Sequence, residues 1–237
     1  MSIADNPSDE TAKPSPNLTH SFQIGSHSPR LQVEAPLRLV ETAFLASTAS
    51  LIWLINVYFP LGPVLRIFFP LPIALVYLRW GHRAAWKAAI VSGLLLTVLM
   101  GPVRSILFVM PFGVMGVLLG ATWHRQVGWL VSISLGSILG TIGVFFRFWL
   151  LSLLTGEDLW VYLINQVTGF LEWLFLRLGI LLSLSSITIQ IFAIALVIFQ
   201  NFIYLFLVHI GAWLLLDRLG NPIPRPPRWV QVMMDYE

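Results

Sequence analysis

The sequence predicts an all-α fold: a polytopic membrane helix bundle with six transmembrane helices and an additional amphipathic outer helix. Three observations predict it. Of 237 residues, 57% are apolar and 11% charged, with a mean hydropathy of +0.81; an ordinary soluble domain has about 45–50% and about 25%. Of the 11 acidic residues, only Glu157, Asp158 and Glu172 fall between Thr42 and Leu216. That stretch also divides into apolar runs of about 20 residues, the length that crosses a hydrocarbon layer about 30 Å thick at about 1.5 Å per residue. Runs this long exclude barrel strands, because only a helix pairs all its own backbone groups in lipid. The composition excludes a cytosolic enzyme, a disordered regulator and a nucleic-acid-binding domain. The net charge of +3 comes from Arg and Lys at helix ends.

Residues 1–36 read as a disordered cytoplasmic tail, with Pro7, Pro14, Pro16 and Pro29 among Ser, Thr and Asn. The transmembrane domain is 37–216. Its first span, 40–59, ends at Pro60; the second, 61–78, is closed by Arg79 to Arg83; the third, 84–100, stops at Gly101-Pro102. The fourth, 105–122, is closed by His124-Arg125; the fifth, 127–154, is long enough to tilt; the last, 187–216, is followed by Asp217-Arg218. A Pro-rich cytoplasmic tail, 217–237, completes the chain.

Segment 158–182 is apolar enough to span, yet Asn165, Gly169 and Glu172 fall at i, i+4 and i+7 on one helix face. That stripe predicts an interfacial or re-entrant amphipathic helix, with a seventh span as the rival. With six spans, Arg30 and Arg38, then Arg79, Arg83 and Lys87, then Arg125, then Arg218, Arg225 and Arg228 all share the cytoplasmic side, as basic loops prefer. The expected location is the cell inner (plasma) membrane with both termini cytoplasmic; an internal photosynthetic-type membrane is the alternative. Trp and Tyr near both ends of the spans fit two interfacial belts.

Three features exceed what spanning requires. Pro60, Pro63, Pro70 and Pro72 surround span two, and each proline inside a helix removes a backbone bond, so a broken helix is expected there. Broken spans mark substrate sites in some transporters; a simple kink is the plainer reading. Arg66, Arg104 and Arg147 all fall in the outer half of this topology, with Glu172 at the same level. Together they form a candidate outer anion pocket, since a guanidinium grips carboxylate or phosphate with two prongs. Snorkelling to headgroups, or plain Arg–Glu pairing, is the competing reading. Small residues complete the set. Gly116-x3-Gly120 and Ser132, Gly136, Gly140 suit close packing within the bundle, while Ala43, Ala46, Ser47 and Ser50 on terminal span one suit docking of a partner.

Catalytic motifs are missing: no H-E-x-x-H, no Walker A loop, and no nucleophile with a base at motif spacing. Cys is absent. No enzyme activity, metal site or cofactor is expected. His82 and His124 read as interfacial groups, and His209 as a packed histidine bonded to another helix.

The proline-rich second span, the R-x-G-x-x-x-A loop from Arg79 to Ala85 and the glycine-rich fourth span resemble the YybS-like family of uncharacterised membrane proteins. That family is similar in fold to the S components of energy-coupling factor transporters, six-helix proteins that bind a small solute from outside. S components dock through small residues of helix one onto a coupling protein with two ATPases. The resemblance implies that Ala43, Ala46, Ser47 and Ser50 take the docking place, with Ser where the pattern has its second Ala. It also implies that the outer arginines and the 155–186 segment lie where solute is held.

The expected function is a small-solute binding and transport component that needs a separate energising partner. Its partners would be membrane lipid, a coupling protein with ATPases and a small anionic solute, with no nucleic acid. The alternative is a non-transporting membrane factor that assembles or anchors a complex, with the stiff basic segment 221–228 as its contact.

Overall fold

A computed structural model describes residues 29–59, 62–179, 185–220 and 224. Among these residues there are nine α-helices and no strand: α1 (Pro29–Tyr58), α2 (Pro63–Ile67), α3 (Leu71–Trp80), α4 (His82–Met100), α5 (Pro102–Phe108), α6 (Val114–His124), α7 (Trp129–Thr155), α8 (Leu159–Leu178) and α9 (Ser186–Arg218). Six stretches are long and apolar enough to cross a membrane: α1 from Ala35, α4, α5 with α6, α7, α8 and α9. The all-α class is therefore as the sequence predicts. The membership of the six differs: α8 qualifies by length and composition, and span two does not.

Span two is broken, as its prolines require. Phe68, Phe69 and Pro70 separate α2 from α3, with Pro63 in the first turn of α2 and Pro72 in the first turn of α3. A proline is tolerated there because the first amides of a helix have no partner to lose. α3 is then buried on every side from Leu71 to Val76 and packs against α1, α4 and α6. A helix apolar all round belongs in the middle of a bundle. Close approach is bought with glycine: a Cβ on Gly116 would stand 2.7 Å from both the Pro70 carbonyl oxygen and Ile73 Cβ, and Gly120 faces Tyr77 in the same way. On α7, Gly136, Gly140 and Gly143 face Leu205, Asn201 and Pro111.

Helix α1 begins at Pro29 and continues through Pro36, so eight residues assigned to the tail are helical. The expected disorder of 1–28 lies outside the described residues, as do 221–223 and 225–237. The fourth span is not a regular helix. Between α5 and α6 lies a π-helical turn, Val109–Gly113, with Met110 at φ −112° and ψ 96°. Pro111 sits within it and has no N–H to give to an α ladder.

Pairwise contacts set the level of each element. Ser50 Oγ donates to the Ser92 carbonyl (3.1 Å) and Ser92 Oγ to the Ala46 carbonyl (2.9 Å), clamping α1 to α4. At one end, here termed basal, Glu41 pairs with Arg79 and accepts the Trp80 indole N–H at 2.9 Å. Tyr77 and His124 rings lie 6.1 Å apart at that end. Trp129 Nε1 donates to the Pro224 carbonyl at 2.8 Å, which brings the chain after α9 there too.

Helices α7 and α9 run antiparallel, with 132, 136 and 140 facing 209, 205 and 201. Continued, that register sets 148 and 152 opposite 193 and 189. Helix α8 starts at the same level, its Leu159 N–H bonded to Ser152 Oγ at 3.1 Å. Its middle residues Val167 and Leu171 cluster with Ile189 and Ala193. Helix α8 thus packs on the first turns of α9, and by length and composition it is long and apolar enough to cross a membrane. Only Val167 and Leu171 are buried in it; Asn165, Gly169 and Glu172 are exposed, and so are Val161, Tyr162, Phe170, Trp173 and Leu176.

Candidate functional site: the cavity at the distal turn

No ion pair among the described residues joins the four expected pocket residues. Arg66, Arg104, Arg147 and Glu172 are all exposed, and the ion pair among the described residues is Glu41–Arg79. Arg66 lies on α2, where its carbonyl accepts the Tyr204 hydroxyl at 2.9 Å and neighbouring Ile67 abuts Gly211. Both partners are in the second half of α9, which runs toward the basal end. Arg104 stands in the first turn of α5 at the distal end, Arg147 on α7 and Glu172 on the outer face of α8. None of the four lines either of the two cavities described below.

The docking residues divide by face. Ala46 and Ser50 are buried against α4, spent on the clamp with Ser92. Ala43 and Ser47 are on the exposed side, where Ser47 Oγ only returns to the Ala43 carbonyl at 2.9 Å.

What the distal end does form is a cavity of about 560 Å³ at the turn from α7 into α8. Gly156 ends α7 in the left-handed conformation (φ 74°), its N–H donating to the Ser152 carbonyl at 2.9 Å. Asp158 then caps α8, Oδ1 accepting the Trp160 and Val161 amides at 2.9 and 3.2 Å. Such a cap fixes the entry angle of the new helix and occupies one carboxylate oxygen. The Glu157 amide is held by Thr155 Oγ1 at 3.3 Å, while its carboxylate makes no ion pair among the described residues.

Trp160 packs on Phe145 with ring centroids 5.3 Å apart. Phe148, Trp149, Ser152 and Gly156 complete the lining. Four aromatic rings and two carboxylates line this cavity, groups that attract a cation. In the sequence Trp149 and Trp160 fit the interfacial belts, and Glu157 and Asp158 stand out only as two of the three acids between Thr42 and Leu216. The available signal was the Phe145–Trp149 aromatic run followed, about two turns later, by adjacent carboxylates and another Trp. Among the described residues no group of three His, Asp or Glu could hold a metal ion.

A family model described as Predicted membrane protein (DUF2232) matches residues 47–236. The chain belongs to that family. This DUF2232 member is thus an integral membrane protein by family as well as by its apolar helices. No curated protein matches it, and no solved structure does. The likenesses to the YybS-like family and to S components are not among these matches. For a DUF2232 chain, the match also covers every element that builds the distal cavity, α7 and α8 included.

Proposed function

We propose that this chain is a membrane-embedded binding component for a small organic cation, an amine or quaternary ammonium compound, held in the α7–α8 cavity. The supporting observation is that cavity: Phe145, Phe148, Trp149 and Trp160 line it together with Glu157, whose carboxylate makes no ion pair among the described residues. A ring face and a carboxylate both favour positive charge, and neither favours the anion expected from the arginines. Arg79, Arg83, Lys87, Arg125 and Arg218 share the basal end, which the positive-inside rule assigns to the cytoplasm. The cavity then opens on the outer side. Without a nucleotide-binding motif, transport would draw on a separate energising partner, docked on the exposed Ala43–Ser47 face of α1. The resemblance to S components supports this division of labour.

A second reading, an anchoring factor for a protein complex, is favoured by the Trp129–Pro224 bond. That bond holds Pro224 at the basal end.

Isothermal titration of the purified protein with choline, and with succinate as the anion, separates the readings. Choline binding weakened at least about fivefold by Glu157→Gln supports the cation site, since loss of about 1 kcal/mol is about fivefold in affinity. Succinate binding that Arg147→Gln abolishes would restore the anion pocket. Binding of neither would favour the anchoring factor.

A further inference from the structure

The second concavity, with a volume of about 670 Å³, lies at the other end of the bundle and has a different chemistry. Its floor is the α6 stripe Val114, Val117, Leu118 and Ala121, and its far wall is Leu135, Ile138 and Ile142 on α7. At the basal end the trough stops at Arg125 and His82, with the Tyr77 ring beside them. From Val114 to Arg125 the stripe runs about 16 Å, close to half the hydrocarbon thickness of about 30 Å. The trough is therefore one leaflet deep, apolar along its length and cationic at the level of the headgroups.

Arg125 is exposed and makes no ion pair among the described residues, whereas Arg79 at the same end is neutralised by Glu41. Leu135, Ile138 and Ile142 are 44, 61 and 51% exposed, so the wall is open to the surrounding lipid.

We infer that this trough is a specific site for an anionic phospholipid of the surrounding bilayer. One acyl chain lies along α6 and α7, and the phosphate sits on Arg125 and His82. Charge complementarity and leaflet-length depth favour this occupant over a second copy of the chain. The site is independent of the distal cavity and of what binds there.

Native mass spectrometry of the full chain in mild detergent tests it, with phosphatidylglycerol and phosphatidylcholine of identical acyl chains. The expected result is half-saturation at about fivefold lower concentration of phosphatidylglycerol, the effect of one Arg near a membrane surface. Arg125→Gln removes that preference, while Arg218→Gln, at the same end but outside the trough, keeps it. Equal affinity for the two lipids overturns the inference, as does equal loss in both variants. A dimer in place of lipid adducts overturns it too. So does displacement of phosphatidylglycerol by an equal concentration of glycerol phosphate, which would show that the chain trough contributes nothing.

Discussion

His209 Nε2 on α9 lies 2.9 Å from Ser132 Oγ on α7, and the same ring's Nδ1 lies 2.8 Å from the Leu205 carbonyl. The carbonyl can only accept, so Nδ1 carries the proton; Nε2 of the neutral ring then accepts from Ser132. Ser132 Oγ is itself 2.8 Å from Thr122 Oγ1 on α6, and the imidazole is flanked by Trp123 and Trp129 at 5.5 and 5.4 Å. One buried polar chain thus ties α6, α7 and α9 together where apolar packing alone would leave their relative slide unspecified.

Removing that ring leaves Ser132 without its acceptor and opens a void between two indoles. His209→Ala is expected to destabilise the purified protein by about 2–4 kcal/mol, the sum of a lost buried hydrogen bond and a cavity. Ser132→Ala, which loses the contacts to His209 and Thr122 but opens no comparable void, is expected to cost about 1–2 kcal/mol. Thermal unfolding in detergent reads both; equal Tm values for wild type and His209→Ala would contradict the tie.

The glycine seam between α3 and α6 gives a second contrast. A Cβ at Gly116 meets Pro70 and Ile73, whereas one at Gly169 on α8 meets nothing within 4 Å. Gly116→Ala is expected to cost about 1–3 kcal/mol by overpacking. Gly169→Ala should be neutral, or stabilising by up to about 1 kcal/mol through helix propensity. Similar expression and Tm for the two variants would mean that α3 and α6 are not in close contact.

On α1, the two small-residue pairs are expected to behave oppositely. Ser50→Leu forces bulk against Ser92 and should lower yield and Tm, by about 1–3 kcal/mol of overpacking. Ser47→Leu lies on the exposed face and should leave folding unchanged while blocking any partner docked there. Co-purification with and without Ser47→Leu checks the second half; a folding defect in Ser47→Leu would show that this face is already covered.

The surface ion pair at the basal end is a weaker element. Arg79 and Glu41 side chains are 34 and 19% exposed, so Glu41→Gln is expected to cost no more than about 1 kcal/mol. The Trp80 bond can be kept by the amide oxygen. A Tm loss like that of His209→Ala would show that the pair closes the bundle rather than decorating it.

The sequence carried the fold class because the deficit of acid between Thr42 and Leu216 has one physical explanation. Its small residues were equally legible: Gly116 and Gly120 lie where spacings of four place them, on a face that touches another helix. The prolines disclosed the break at Pro70. What a ruler laid along the chain could not give was the level of Arg66, because it assumes a straight helix. The two-part segment instead folds against Tyr204 and Gly211.

Nor does linear position give azimuth. Arg104 and Arg147 share the distal half without sharing a pocket, and Ala46 turns inward while Ala43 turns outward. The π turn at Pro111 was missed because one proline in an apolar run looks like any other. The cavity was hidden for a related reason: Trp149 and Trp160 fit an interfacial belt equally well until Asp158 fixes the direction in which α8 leaves.

The central claim is a cation site on the side of the membrane opposite the basic end. Because the chain has no Cys, a single introduced thiol is unique. The direct measurement is labelling of Ser152→Cys and Arg125→Cys in intact cells with a membrane-impermeant maleimide, with and without choline. The account predicts that Ser152→Cys is labelled and that choline slows it, while Arg125→Cys reacts only after permeabilisation. Labelling of Arg125→Cys in intact cells, or labelling of Ser152→Cys that choline does not slow, would contradict it.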